Sequence, residues 1–408
     1  MKTLLSLLAL VVAFPILNAG PKVALERVKI QVGIDKGDFR GSDNRVLQAA
    51  VDYVGGLGGG TVSIGPGTFE MRNSLILRDR VRVVGVPGKT ILKSCDAFRS
   101  PMASSGGINE YSVHLSDPKG FRIGDGVMVQ DEKSMYGFYV TQATVTGKLE
   151  GNRLALSRPL YHDYDPSRKA RVTSGFPVIG LWGVNQVELE GLTIDGNGNK
   201  MEYLTGCRGG GIYLFECEDV TIRHCTVRNY NGDGISFQTT KRVLIEDCVC
   251  EGNFGVGLHP GCGSFEAVVR RNKCTGNKGD GLFLCWRVQG GLFENNDFSN
   301  NKRHGISIGM KDSDNLFRNN AITSNEKNGI WFRNQPEQNG AQRNVFEKNR
   351  ILDNDRCIVF EGQHIDLVFR KNTIGYSKPR KDATAFEGAK TQKGLKSEGN
   401  EFRNLKTP

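Results

Sequence analysis

Asp233, His259, Asp280, His304 and Arg333 fall in five successive segments, each close to a small residue followed by an aliphatic one. Two carboxylates, two imidazoles and a guanidinium are enough for acid–base work on an anionic substrate. A base takes a proton and a nearby cation neutralises the charge that develops. Lys311 and Arg287 add cations beyond the ends of two of these segments. Phe283, Trp286 and Trp331 interleave flat surfaces suited to pyranose rings, and Gln238 and Glu361 occupy the position two residues further along. The candidate catalytic residues are therefore His259, Asp280, His304, Lys311, Arg333 and Asp233. The candidate substrate-binding residues are Arg287, Trp286, Phe283, Trp331, Gln238 and Glu361. A plainer reading is that any surface strand carries polar residues, but two of only six histidines on this one face favour function.

These side chains can cooperate only if the segments stack. Gly211-Ile212, Gly234-Ile235, Gly257-Leu258, Gly281-Leu282, Gly305-Ile306, Gly329-Ile330 and Cys357-Ile358 recur with spacings of 23, 23, 24, 24, 24 and 28. A second apolar pair follows in each segment, from Val220/Ile222 and Val243/Ile245 through Val268/Val269, Leu292/Phe293, Leu316/Phe317 and Val345/Phe346 to Val368/Phe369. Short β-type runs separated by Asn/Gly corners at a fixed period mark a solenoid of strands. One such turn cannot bury its apolar face, whereas stacked turns can. Asn272, Asn296, Asn320, Asn349 and Asn372 form one column, and Asn253, Asn277, Asn301, Asn325 and Asn354 another. Stacked asparagines can pass amide hydrogen bonds from coil to coil. Val227, Cys250, Cys274, Phe298, Ile322, Ile351 and Ile374 form an apolar column. The pattern predicts an all-β fold, a right-handed parallel β-helix with about 23–24 residues per coil.

The rest of the chain serves this stack. Met1 to Ala19 reads as an export signal, with Lys2, an apolar run from Leu4 to Ile16 and a small residue at the cleavage point. A secreted or periplasmic protein is expected, and no later run is long enough to span a membrane. Residues 20–96 hold a helix over 42–54, capped by Ser42, and the first coils. The helix would cover the open end of the stack. Residues 97–175 break the period and read as a small antiparallel β insert. Its Tyr161-His162-Asp163-Tyr164-Asp165 run could overhang the groove and bind sugar. Repeats occupy 176–376, and the Lys-rich tail 377–408 is expected to cover the other end.

Lys+Arg outnumber Asp+Glu by 54 to 44, which biases partners towards polyanions. Nucleic acid is disfavoured because the basic residues are dispersed and no nucleic-acid module is present. An acidic polysaccharide suits an exported protein, and a monomer is expected. Cys225/Cys248 and Cys250/Cys274 lie one coil apart and read as small core residues, although export would permit disulfides. No Cys or Cys/His spacing asks for zinc, so no metal ligand is assigned.

Residues 43–92, with Gly58-Gly59-Gly60-Thr61-Val62-Ser63-Ile64 after a helix, resemble the start of proteins of the pectin-lyase-like superfamily. Arg303-His304-Gly305-Ile306-Ser307-Ile308-Gly309 is similar to a polygalacturonase motif. Asn328-Gly329-Ile330-Trp331-Phe332-Arg333 and Gly279-Asp280-Gly281 look like that family's flanking motifs. Gly281 stands where a second aspartate would be, Phe254-Gly255-Val256 lacks a further one, and Trp331 replaces an arginine, so the family's acid and base roles do not transfer. The resemblance leaves two enzymatic expectations. One is lyase-type proton abstraction from a uronate, with His259 or His304 as base and Arg287, Lys311 or Arg333 neutralising the carboxylate; calcium is a candidate cofactor, with Asp233 and Asp280 offering oxygen ligands. The other is hydrolysis by Asp233 and Asp280. A non-catalytic glycan-binding or surface protein is the alternative from another class.

Overall fold

The structure is a computed structural model that describes residues 28–134, 137–380 and 382–405. The export-signal reading of residues 1–19 lies outside the described residues.

The strands stack in parallel into three long faces. One sheet has 13 strands and one has 10; the third face is divided into sheets of six and four, joined by bridges from Lys273 through Asp297 to Ala321. The stacking is the one read from the period. Ile212, Ile235, Leu258, Leu282, Ile306, Ile330 and Ile358 pair in register, coil on coil. The second apolar pairs from Val268/Val269 to Val368/Phe369 stack in register, one member inside and one outside. Ile222, Ile245, Val269, Phe293, Phe317, Phe346 and Phe369 form the interior column, whereas Leu244, Val268, Leu292, Leu316, Val345 and Val368 form a half-buried outer one. Val220 and Val243 belong one position earlier. Within the core Phe293, Phe317, Phe346 and Phe369 lie face to face at 4.8, 4.7 and 4.5 Å, near the strand spacing itself.

Both asparagine columns are hydrogen-bonded ladders. Asn296 Nδ2 donates to Asn320 Oδ1 at 3.0 Å and to the Val269 carbonyl at 2.9 Å, and the other ladder repeats this geometry. A shorter third ladder, Asn315 to Asn344, was not read from the sequence. The recurring glycine packs against the second ladder. A Cβ on Gly305 would meet Ile322 Cγ2 at 2.4 Å, the Gly329 carbonyl oxygen at 2.7 Å and Asn325 Nδ2 at 2.8 Å. Gly305→Ala is therefore expected to cost about 1–3 kcal/mol by overpacking, measurable as a lower denaturation midpoint.

The helix runs from Asn44 to Gly56 and buries Leu47, Ala50, Val51 and Val54 against the first coils. Its cap is Asp43, whose side chain accepts the Arg45 N–H, not Ser42. Strands Lys29–Gly33 and Phe39–Arg40, absent from the sequence reading, extend the 13-stranded sheet at this end. Residues Arg99 to Ser174 hold six antiparallel strands with their own core, including Val113, Val127, Leu154 and Val172. The tail differs from a simple cover. Phe386–Glu387, Lys396–Glu398 and Glu401–Arg403 add another strand to each face, a further coil of mostly polar, exposed sequence. Among the described residues no helix is long and apolar enough to cross a membrane.

Candidate functional site

The ten-stranded face carries the chemistry-bearing residues. Parallel register places Tyr213, Ser236 and His259 in one row and Phe283, Ser307, Trp331 and Val359 in its continuation. The Phe283 ring meets His259 edge-on at 5.0 Å, which closes the row. Asp233, Asp280 and His304 stand at the corner where each of these strands begins.

That corner has a structural duty. Asp233 Oδ1 accepts the Val256 N–H (2.9 Å), Asp280 Oδ1 accepts the His304 N–H (3.1 Å), and His304 Nδ1 accepts the Asn328 N–H (3.2 Å). Each side chain thus joins its coil to the next. For His304 the bond also sets the tautomer: Nδ1 accepts, so the proton resides on Nε2. Burial, reinforced by Arg303, Lys327, Arg356 and Arg333, pushes the imidazole down to about 3. His304 is a neutral N–H donor at ordinary pH, which corrects the expectation that it serves as a base. Its ring stacks on Trp331 at 4.5 Å.

Asp280 is fully buried and its Oδ2 has no partner. Burial pushes its carboxyl up to about 6, against the pull of the Arg303 guanidinium 3.8 Å away. Arg333 lies across Gly309, where a Cβ would come within 2.5 Å of the guanidinium. It donates to Ser307 Oγ (2.9 Å) and to the carbonyls of Leu284 (2.6 Å) and Cys285 (2.8 Å), and covers the Phe283 ring at 4.4 Å. Its donors are largely committed to the scaffold, so Arg333 fits the expected role of substrate neutraliser poorly. Asp312, which the sequence reading missed, sits 3.5 Å from Arg333 and accepts the N–H groups of Val288 and Gly309. Burial raises it to about 6 as well.

The cations left facing outward flank the row. Arg303, Lys327 and Arg356 are exposed and stack at one corner through successive backbone hydrogen bonds. Arg287 and Lys311 are exposed at the opposite edge, on left-handed turns with φ of 54° and 55°. Trp286 is exposed beside them, and Glu361 is exposed one coil beyond Arg333. Gln238 is buried, donating to Ser236 Oγ (2.9 Å) and the Gly206 carbonyl (3.3 Å). It supports a covering segment rather than an open groove.

That segment, around Gly206 and Cys207, folds over the early coils. Ser236 Oγ donates to the Gly206 carbonyl at 2.6 Å and Tyr213 Oη to the Cys207 carbonyl at 3.1 Å. Beneath it His259 Nδ1 bonds Asp233 Oδ2 at 2.6 Å. Burial lowers the His259 pKa, but Asp233 and Cys207 outweigh it and take the ring up to about 9. Cys207, His259 and Cys285 present ligand atoms all within 4.8 Å of one another. Sequence spacing could not reveal this group, because its members come from a covering loop and two different coils. Asp233 and Asp280 belong to no such group of three metal-ligating side chains among the described residues.

Where the insert meets the same face, a cavity of about 380 Å³ is lined by Phe138, Arg158, Tyr161, His162, Trp182 and Arg208, among others. Tyr161 and His162 reach it as the overhang reading expected, but Tyr164 is buried and bonds Thr141 at 2.9 Å.

The profile of the right handed beta helix region matches residues 132–287, 177–339 and 261–402, more than half of the chain. The protein belongs to that family. Its fold and register are those of a right-handed parallel β-helix, consistent with the pectin-lyase-like superfamily. No curated protein matches the chain by sequence. Similar solved structures include the A-module of the Azotobacter vinelandii mannuronan C-5 epimerase AlgE4, at 16% identity over 92% of this chain and 98% of that one, with a TM-score of 0.52. The A-module of the same organism's mannuronan C-5 epimerase AlgE6 matches at 16% over 90% and 95%, with a TM-score of 0.53. ORF18 of Geobacillus virus E2 matches at 12% over 91% of this chain and 60% of that one, with a TM-score of 0.53. At these identities the likeness is one of fold.

Proposed function

We propose that this protein is exported and acts on an acidic, uronate-containing polysaccharide bound along the ten-stranded face. The observation that carries the reading is the pair of exposed cation edges, Arg303/Lys327/Arg356 and Arg287/Lys311, on either side of a row holding Phe283 and Trp331. Coils are roughly 5 Å apart, about one sugar unit, so a chain of uronates would meet a cation at each step. Two proteins of similar fold act on a polyuronate by name, mannuronan.

The chemistry this arrangement favours is removal of the proton next to a uronate carboxylate. Asp280, raised to about 6 and with a free Oδ2, has the proton affinity of a base at mildly acidic to neutral pH. It becomes available when Arg303 turns from it to pair with the substrate carboxylate. His304, held neutral, donates Nε2–H to the developing charge, and Trp331 supports the ring. Hydrolysis asks for two working carboxylates, but Asp233 has one oxygen on Val256 and the other on His259. Glycan binding without catalysis is the second reading, supported by the corner bonds that Asp233, Asp280 and His304 make within the scaffold.

The test is a panel of pectin, alginate and sulfated glycans. Elimination gives new absorbance from unsaturated uronate ends, epimerisation changes the NMR of the C5 proton without cleavage, and hydrolysis gives reducing ends alone. Retention on a glycan column with none of these leaves binding. The double charge reversal Arg303→Glu/Lys327→Glu is expected to weaken retention about tenfold at low salt. Unchanged retention would remove the polyanion reading.

A further inference from the structure

We propose that Cys207, His259 and Cys285 form a binding site for a zinc-class divalent metal ion, with Cys262 at its edge, which pins the covering segment to the β-helix. The inference does not rest on the polysaccharide reading, since it concerns ligand chemistry alone.

Three observations support it. The two sulfurs and the ring nitrogen lie within 4.8 Å of one another. In a tetrahedron of zinc–sulfur bonds of about 2.3 Å, ligand atoms stand about 3.8 Å apart, so modest contraction closes the site. Second, the imidazole is prepared for ligation. Its Nδ1 is bonded to the Asp233 carboxylate, while Nε2 is buried with no hydrogen-bond partner, on a side chain only 5% exposed. A carboxylate on the far nitrogen fixes the tautomer and ring orientation and makes the other nitrogen a better donor, the usual second layer of a histidine–metal bond. An orphaned buried ring nitrogen is costly otherwise. Third, the backbone is built to bring Cys207 there. A Cβ on Gly206 would lie 1.7 Å from Asp233 Oδ2 and 2.2 Å from His259 Nδ1, so only glycine lets the segment press onto the dyad.

The thiol of Cys207 is placed differently from those of Cys225 and Cys248. Cys225 and Cys248 sit in the core with their sulfurs directed at local carbonyls, those of Arg223 and Glu246, and burial raises the thiol of Cys248. Cys207, in contrast, is only half-buried and presents its sulfur to Cys285 and His259. Cys262 is likewise half-buried. Thiolates are what a soft divalent ion binds. A disulfide between two of Cys207, Cys262 and Cys285, or Cys207 as a free nucleophile beside the His259–Asp233 pair, are the competing outcomes. The test separates these outcomes.

The full chain, purified under reducing conditions, is stripped with chelator and titrated with Co²⁺ and then Zn²⁺. One Co²⁺ per chain is expected, with thiolate-to-metal charge-transfer absorption and intense tetrahedral ligand-field bands, displaced by one Zn²⁺. Cys285→Ser and His259→Ala should abolish the charge-transfer signal or weaken binding at least a hundredfold. Asp233→Asn should weaken it about 10–100-fold through the imidazole, and Cys250→Ser in the core should leave it unchanged. Circular dichroism checks that each variant is folded, and the wild-type titration needs no variant. The proposal is overturned by a folded wild-type chain that shows no charge-transfer band. It is also overturned by intact mass and thiol counts showing a disulfide among Cys207, Cys262 and Cys285 that persists without reductant removal, or by single fast alkylation of Cys207 that saturating Zn²⁺ does not slow.

Discussion

Asn301→Ala is expected to lower the unfolding free energy by about 3–5 kcal/mol, whereas Lys302→Ala beside it should change it by less than about 0.5 kcal/mol. The Asn301 side chain sits in the middle of a ladder. Its Nδ2 donates to the carbonyls of Cys274 (3.0 Å) and Ser299 (3.2 Å) and to Asn325 Oδ1 (3.1 Å). Its Oδ1 accepts from both the backbone N–H (3.2 Å) and the Nδ2 (3.0 Å) of Asn277. All of these groups are buried, so truncation leaves several polar atoms without partners and without water, and each such atom costs about 1–3 kcal/mol. Lys302 pairs with Glu326 at the surface, where both side chains are 57% exposed. Urea denaturation of the two variants reads the contrast directly. Equal midpoints would show that the ladder contributes no stability.

Asp280→Asn is expected to reverse a pH-dependent penalty. Burial holds the folded carboxyl at about 6, above the ordinary value of 3.8. Below the ordinary value both folded and unfolded chains are protonated and nothing is lost. As pH rises from there towards 6 the unfolded chain releases a proton that the folded chain retains, so stability falls, and it levels off above 6. A shift of this size corresponds to about 3 kcal/mol. The stability of Asp280→Asn relative to the parent should therefore rise by about 2–3 kcal/mol between about pH 3.5 and neutrality, measured by denaturant titration at both. Parallel pH profiles would mean that Asp280 is solvated. In an assay on a uronate glycan the same group predicts an acid limb near pH 6 for the parent chain and loss of turnover, by at least a hundredfold, in the variant.

The β-helix was legible because its determinants repeat. Most coils place asparagines at their corners, a glycine where the interior leaves no room for a Cβ and an aliphatic residue beside it, so a single period runs through all three columns. The helix at the N-terminal end was legible from its apolar stripe, while its cap shifted from Ser42 to Asp43, since neighbouring polar residues compete for the same backbone N–H. Only Val220 and Val243 fall outside the two columns that the later pairs share, because apolar residues close together on a short strand do not say which one faces inward. Residues 377–405 looked aperiodic because an exposed last coil has little interior to fill.

The site was legible only in outline. The register of one strand column put His259, Phe283, Ser307 and Trp331 on one face from spacing alone. It could not show that His304 is held neutral by burial and the cations around it, that Arg333 is tied to backbone carbonyls, or that Asp312 is buried beneath it. Nor could spacing bring Cys207 onto His259 and Cys285. The sequence by itself determined the repeat, the coil length and which residues share a column, because those follow from a period that every coil must obey. The tertiary structure alone decided which of those residues are hydrogen-bonded into the scaffold, which remain free, and what a non-repeating loop lays over them. Protonation and ligation depend on contacts of a few ångströms between chain segments that share no spacing rule.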